Sequence, residues 1–324
     1  MGKTMQRLKL ELRLLLRQYG KQLVWLVPLL LIGGLITAVW LLWPLPMPTS
    51  AVACKSNIHR MTFPNPEERK RQLQHWGEDV FAVENEYFQI VESPTHMCQH
   101  QVHLGPEGDG GWEICVDPSF RFKDNCLVYS FGIGHDFRFE LALEDMFQCE
   151  VYAFDPSMGV KPHQYSEKGH FYDWGLDDVN SMAANGRWRM RRLKSIMQDL
   201  KHEGRTIDYL KMDIEFSEWP ALHDIIQSGL INQVRQIAFE THTPEMDIHE
   251  RPDHPCTWSK LGTMQFMLKV LVDLRNAGFS MYYTRTNYRT KYVSGLTKVE
   301  RYCCHNLHYI NHKHKDNAWN LGDA

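Results

Sequence analysis

The sequence predicts an α/β protein: a doubly wound, parallel sheet with helices on both faces, preceded by one N-terminal transmembrane helix. Three observations carry this. From Asn125 onward, short apolar strands alternate with amphipathic helices. Glycines or acids stand just past several predicted strand ends, at Gly132, Asp155, Asp213 and Glu240. Ahead of all this, Leu23–Trp43 runs for 21 residues without a charge. The chain has 324 residues, 43% hydrophobic and 23% charged, which excludes a disordered or fibrous protein. Its net charge of -3 argues against a general nucleic-acid binder, which needs cations for phosphates.

The elements follow in order. Residues 1–22 form a basic tail, with Lys3, Arg7, Lys9, Arg13, Arg17 and Lys21 against Glu11. Residues 23–43 are long enough for a bilayer core about 30 Å thick. Trp25, Trp40 and Trp43 lie near the ends of the run, where indoles favour the interface. The basic tail puts the N-terminus in the cytosol and the rest of the chain on the far side. The expectation is a single-pass type II protein of the Golgi or endoplasmic reticulum, partnered with the membrane through this helix, with a lumenal domain. A cleaved signal peptide ending near Ala51-Val52-Ala53 is the alternative, although signal cores run only about 7–15 residues.

Residues 44–62 begin PLPMP and read as a stem. Residues 63–122 read as an irregular extension, with a helix around Pro66–Trp76 and a loop at 105–111. All eight cysteines follow the apolar run, and an even number in an oxidising lumen suggests disulfides. Cys126 and Cys149, at strand starts, fit equally well as buried apolar residues.

Residues 123–314 hold the main domain, and 315–324 a tail. Strands are expected at Cys126–Ser130, Val151–Phe154, Phe171–Trp174, Ile207–Met212, Val234–Phe239, Phe279–Tyr283 and Leu307–Ile310. Helices are expected at Phe137–Phe147, Arg187–His202, Trp219–Gln227 and Thr263–Asn276. Ligands of such sheets bind outside the carboxyl ends of the strands, where strand order reverses.

The strongest motif is strand, Gly-x-Gly, helix, strand, acid. Ser130, Gly132 and Gly134 close the first strand, and Asp155 follows the second. Glycines allow a close backbone approach, and an acid at that distance accepts ribose hydroxyls. A dinucleotide would want a small residue at 137, where Phe137 stands. S-adenosyl-L-methionine has no phosphates and tolerates the shorter glycine pattern, so it is the expected cofactor. Asp213, ending the fourth strand, should face the same crevice. Glu215 and Glu218 would open the next helix, where its dipole favours acids. Glu240 and His242, two apart, would point to one side. With Asp213 they offer a base for a hydroxyl or ligands for a metal; a hydrogen-bonded pair at a loop entrance is the plainer reading. No metal is expected. Cys303, Cys304, His305, His308, His312 and His314 match no common zinc spacing, and a strand explains them. The basic residues from Arg187 to Lys194 read as a solvated helix face.

These segments, GGWEICVDP (110–118), CLVYSFGIG (126–134), VYAFDPSMG (151–159), YLKMDIEFSEWPAL (209–222) and IAFETH (237–242), resemble the methyltransferase-like proteins related to FkbM-type methyltransferases. The likeness runs from about Cys98 to His312. Phe216-Ser217 departs from the family's glycine after Asp-x-Glu, and Arg138 replaces a small polar residue. The resemblance implies a Rossmann-like, class I S-adenosylmethionine-dependent methyltransferase acting on oxygen. Ser130, Gly132 and Gly134 would then line the methionine part and Asp155 hold the ribose. Asp213 would lie near the acceptor, with Glu240 or His242 as base. The acceptor is a glycan, lipid or protein. A type II lumenal glycosyltransferase using Asp213 and Glu215 for a metal, and a non-catalytic adaptor that kept the fold, remain alternatives.

Overall fold

The structure is a computed structural model that describes residues 79–183, 186–243 and 260–314. All lie in the unit Ala51–Ala324. The expected membrane span at 23–43, the stem, the helix around 66–76 and the tail after 314 fall outside the described residues. No helix among the described residues is long and apolar enough to cross a membrane.

The first element among the described residues, α1 (Val80–Glu92), is one that sequence reasoning missed. Its charges hide an apolar stripe, Val83, Tyr87, Phe88 and Val91, that is buried at helical spacing. Asp79 caps it, accepting from the backbone N–H groups of Phe81 and Ala82 at 2.9 and 3.1 Å. The chain then makes an antiparallel hairpin of β1 (Gln101–Leu104) and β2 (Trp112–Cys115). Gln236 ties this hairpin to the main sheet through the backbone of Cys115 and Phe120.

Next come β3 (Leu127–Phe131), α2 (Arg138–Phe147), β4 (Glu150–Phe154), β5 (His163–Gln164), β6 (Gly169–Tyr172), β7 (Trp174–Leu176), β8 (Ser181–Met182) and β9 (Arg189–Arg191). They are followed by α3 (Leu193–Asp199), β10 (Ile207–Met212), α4 (Glu218–Gln227), β11 (Val234–Thr241) and α5 (Lys260–Asn276). The last are β12 (Phe279–Thr286), β13 (Lys291–Val293), β14 (Glu300–Tyr302) and β15 (His305–Asn311). The expected helix over Arg187–His202 is corrected. Trp188 and Met190 alternate with Arg187, Arg189 and Arg191, a two-residue period, and Arg189–Arg191 forms β9. Only Leu193–Asp199 is helical.

The large sheet has the order β12-β15-β11-β10-β3-β4-β6-β5. Strands β11, β10, β3, β4 and β6 are parallel. The expectation of a parallel sheet is corrected at both edges: β15 is antiparallel between β11 and β12, and β5 is antiparallel to β6. The chain leaves β12 and returns through the β13–β14 hairpin on the same side, so it must run back the opposite way. From β3 the chain moves outward to β4 and β6, then recrosses to β10 and β11. Strand order therefore reverses between β3 and β10, the point beyond whose carboxyl ends such sheets place their ligand crevice. Strands β3 and β10 are buried along their whole length, as sheets covered on both faces require.

Three disulfides lie among the described residues. Cys98–Cys115 and Cys126–Cys149 close loops of 17 and 23 residues, each contributing about 3 kcal/mol in a chain-entropy picture. The third joins the neighbours Cys303 and Cys304.

Candidate active site

Strand β3 ends in a tight turn, Gly132-Ile133-Gly134. Gly132 has φ +79°, and a Cβ there would fall 1.7 Å from the carbonyl oxygen of Asp213. Only glycine fits between β3 and β10 at this point. Gly134 has φ +59°, but a Cβ there would meet nothing within 4 Å. One glycine serves packing; the other leaves room.

Asp155, at the tip of β4, braces the turn. Its Oδ2 accepts from the N–H groups of Ile133 and Gly134, both at 2.9 Å. Its Oδ1 accepts from the backbone N–H and hydroxyl of Ser157 at 2.8 and 2.6 Å. Burial alone would raise its pKa, but these donors outweigh burial and hold the carboxyl below its ordinary value. The structure thus brings Asp155 and the glycine turn together. It also engages about all four acceptor positions of the carboxylate.

Ser130 lies one step behind. It is fully buried, and its hydroxyl donates to Glu140 at 2.6 Å. Lys211 bonds to the carbonyl of Gly132 and lies over the Trp112 ring, 5.2 Å from its centroid. Glu140 was missed from sequence because it lies inside α2, and Lys211, quoted at the end of β10, was given no role. Arg138 is engaged by Asp136 at 2.5 Å and turned outward, so it does not obstruct the turn. The Phe137 ring packs on Tyr165 at 4.5 Å and on the cluster of Ile133, Ala153, Met158 and Phe171. It fills the place where a dinucleotide motif would need a small residue.

The second half of the crevice is made of side chains. Register sets Ser130, Lys211, Ala238 and His308 in one row. Two residues further on, Asp213, Glu240 and Asn306 share that face. Beyond Asp213, Glu215 and Phe216 have φ +51° and +71°. The backbone keeps the left-handed bend that glycine would favour, although Phe216 stands there.

His242 follows the end of β11. Its Nδ1 is 2.9 Å from Glu218 Oε1, which also accepts from the His242 backbone N–H at 3.1 Å. Its Nε2 is 3.4 Å from Glu215 and 3.8 Å from Glu240. The indole N–H of Trp219 holds the His242 carbonyl at 3.0 Å. Burial would lower the His242 pKa, but Glu218, Glu215 and Glu240 outweigh burial and raise it to about 10. Burial, then repulsion from Asp213, pushes Glu240 up to about 8. Glu218 is wholly buried and does more than open a helix. Its part in the site was legible only as an acid at a helix start.

The suspected zinc residues after Cys303 are dispersed. His305 and His308 lie in β15, His312 meets Ser280, and His314 meets the carbonyl of Asn232.

Against known proteins, a family model described as a methyltransferase domain matches residues 55–292. The chain is 26% identical over 232 residues to the Homo sapiens protein called "Probable methyltransferase-like protein 24", covering 65% of this chain and 60% of that one. It is 29% identical over 232 residues to the Rattus norvegicus protein of the same name, covering 66% and 61%. The chain therefore spans about three-fifths of the length of these curated relatives.

Proposed function

Since the chain belongs to this methyltransferase family, we propose that it transfers a methyl group from S-adenosyl-L-methionine to an oxygen of its acceptor. The observation that carries the reading is the open-sided glycine turn facing the Asp155 carboxylate at the next strand tip. When bound, the cofactor supplies a methyl group already activated by a positively charged sulfur. Gly134 leaves its approach free. Asp155 accepts a ribose hydroxyl by exchanging its bond to the Ser157 side chain, its only donor here that is not backbone. Ser130 and Lys211 act through the turn, fixing it by way of Glu140 and the Gly132 carbonyl.

Asp213 and Glu240 line the acceptor side, and one of these carboxylates takes the single proton of an attacking hydroxyl, while His242 is steered by Glu218. Alignment and exclusion of water supply most of the acceleration. Kinship to FkbM-type enzymes is part of the proposal and rests on the segment Asp213–Glu218.

The uncharged run at 23–43, its basic flank and the disulfides favour a type II membrane protein with its catalytic domain in the Golgi or endoplasmic reticulum lumen. Protease protection of a tag at Ala324 in sealed microsomes tests that arrangement; digestion from outside overturns it. The acceptor, a glycan, lipid or protein, is found by screening with methyl-labelled cofactor.

Calorimetry with S-adenosylhomocysteine tests the central reading. Binding to the native chain, weakened at least about tenfold in Asp155→Ala (a charge-assisted bond contributes about 1.5–3 kcal/mol), is expected. An unchanged affinity in that variant, or no binding to the native chain, refutes it.

A further inference from the structure

Glu240, His242 and Cys304 meet where β11 ends and β15 begins. One ligand atom from each lies within 4.8 Å of the others, and all three residues are buried. Glu240 and His242 are two residues apart, and Cys304 comes from a stretch more than 60 residues further on, so only the pairing of β11 with β15 brings the three together. We propose that, once the Cys303–Cys304 bond is reduced, Cys304 joins Glu240 and His242 in holding a zinc ion.

The donor set suits zinc: one thiolate, one imidazole nitrogen and one carboxylate oxygen. Bonds of about 2.0–2.3 Å in a tetrahedron separate ligand atoms by about 3.4 Å. His242 Nε2 already stands 3.8 Å from Glu240 and 3.4 Å from Glu215, whose exposed side chain can provide the fourth ligand.

A second observation is independent of that spacing. Glu218, with no exposed surface, engages the other ring nitrogen, Nδ1, at 2.9 Å. A buried carboxylate on the far nitrogen is what orients a metal-binding histidine and leaves Nε2 free to donate to the ion. A cation here also offsets the carboxylates of Glu215 and Glu240, which both face the same imidazole nitrogen.

The Cys303–Cys304 bond and the ion are alternative uses of one sulfur. A dithiol delivers two electrons and two protons to the two sulfurs and leaves as its own disulfide. Cys304 then gives its proton to solvent as zinc binds. With Glu240 committed to the ion, Asp213 remains to take the acceptor's proton. That last assignment rests on the methyl-transfer reading; the metal site does not.

The test is zinc content, read without any methyl donor, so its failure leaves the transfer reading standing. The full chain is purified without reductant, exposed to zinc, dialysed and analysed for metal. Cys303→Ser cannot form the neighbouring disulfide and keeps Cys304. It is expected to hold about one zinc more per chain than Cys303→Ser/Cys304→Ser. His242→Gln in the Cys303→Ser background is expected to lower affinity at least about tenfold, and Glu218→Gln to lower it about 10–100-fold. Cobalt should give a sulfur-to-metal absorption band in Cys303→Ser and none in the double variant. Should Cys303→Ser not fold, the native chain and Cys304→Ser, both reduced with a phosphine, give the same comparison. Equal metal in the paired proteins overturns the proposal.

Discussion

The two sides of the crevice are built from different materials. At the tips of β3 and β4, backbone does the work: N–H groups surround one carboxylate and hold it ionised. At the tips of β10 and β11, side chains do it: acids crowd one imidazole, and each changes its neighbours' affinity for protons. Backbone donors are fixed by the chain path, which at Gly132 leaves no room for an added atom. Side-chain charges can be exchanged, and their effect depends on pH and on what binds. The first side is suited to holding a constant group, the second to handling a proton or an ion.

The contrast can be broken most forcefully at the glycines. Gly132→Ala should destabilise by at least about 3 kcal/mol, since strained φ adds to a collision with the Asp213 carbonyl. Gly134→Ala should lose only about 1–2 kcal/mol, from φ alone. Urea unfolding of the pair decides it; equal losses would mean that the close approach of β3 to Asp213 has been misread.

On the side-chain half, Glu218→Gln keeps the shape and removes the charge from a buried pair. A loss of about 2–4 kcal/mol is expected in the same assay. An unchanged midpoint would show that His242 finds another partner.

Two histidines on neighbouring strands sharpen the comparison by pH. His242 is pushed up by acids, whereas burial pushes His308 down to about 3. A histidine whose folded pKa is depressed binds protons more readily when unfolded. Its stabilising effect is therefore complete above about pH 6.5 and is lost as pH falls toward 3. Across that window His308 alone should reduce stability by up to about 1.4 kcal/mol per pH unit. His308→Gln should flatten the acid limb of an unfolding-against-pH curve; an identical limb would locate the acid sensitivity elsewhere.

The smallest effect is expected at Phe216→Gly. Relief of left-handed strain is offset by glycine entropy and by loss of the ring beside His242, 5.7 Å between centroids. The net change should stay within about 1 kcal/mol, on the stabilising side. A clear loss in thermal unfolding would assign that ring a packing role.

Much of the site was legible because strand ends are local features. Gly132, Gly134, Asp155, Asp213 and Glu240 were each read from an apolar run and the residue that stops it. Arg187–Arg191 was misread because its five-residue alternation was outweighed by the helical pattern that follows. Helix α1 was missed because Glu84, Glu86 and Glu92 obscure its stripe. One of those charges is buried, satisfied by Arg301, Ser294 and Thr297, more than 200 residues away.

The amino-acid order by itself determined the alternation of elements, the glycine bend and the acids at the strand tips, because each depends on neighbours a few residues apart. Tertiary structure alone decided that Ser130 turns to Glu140, that β15 inserts antiparallel, and which cysteines pair. It also set Glu218 against the His242 ring and brought Cys304 close to His242 and Glu240. These are contacts between distant segments, and register and packing select them where no local preference can.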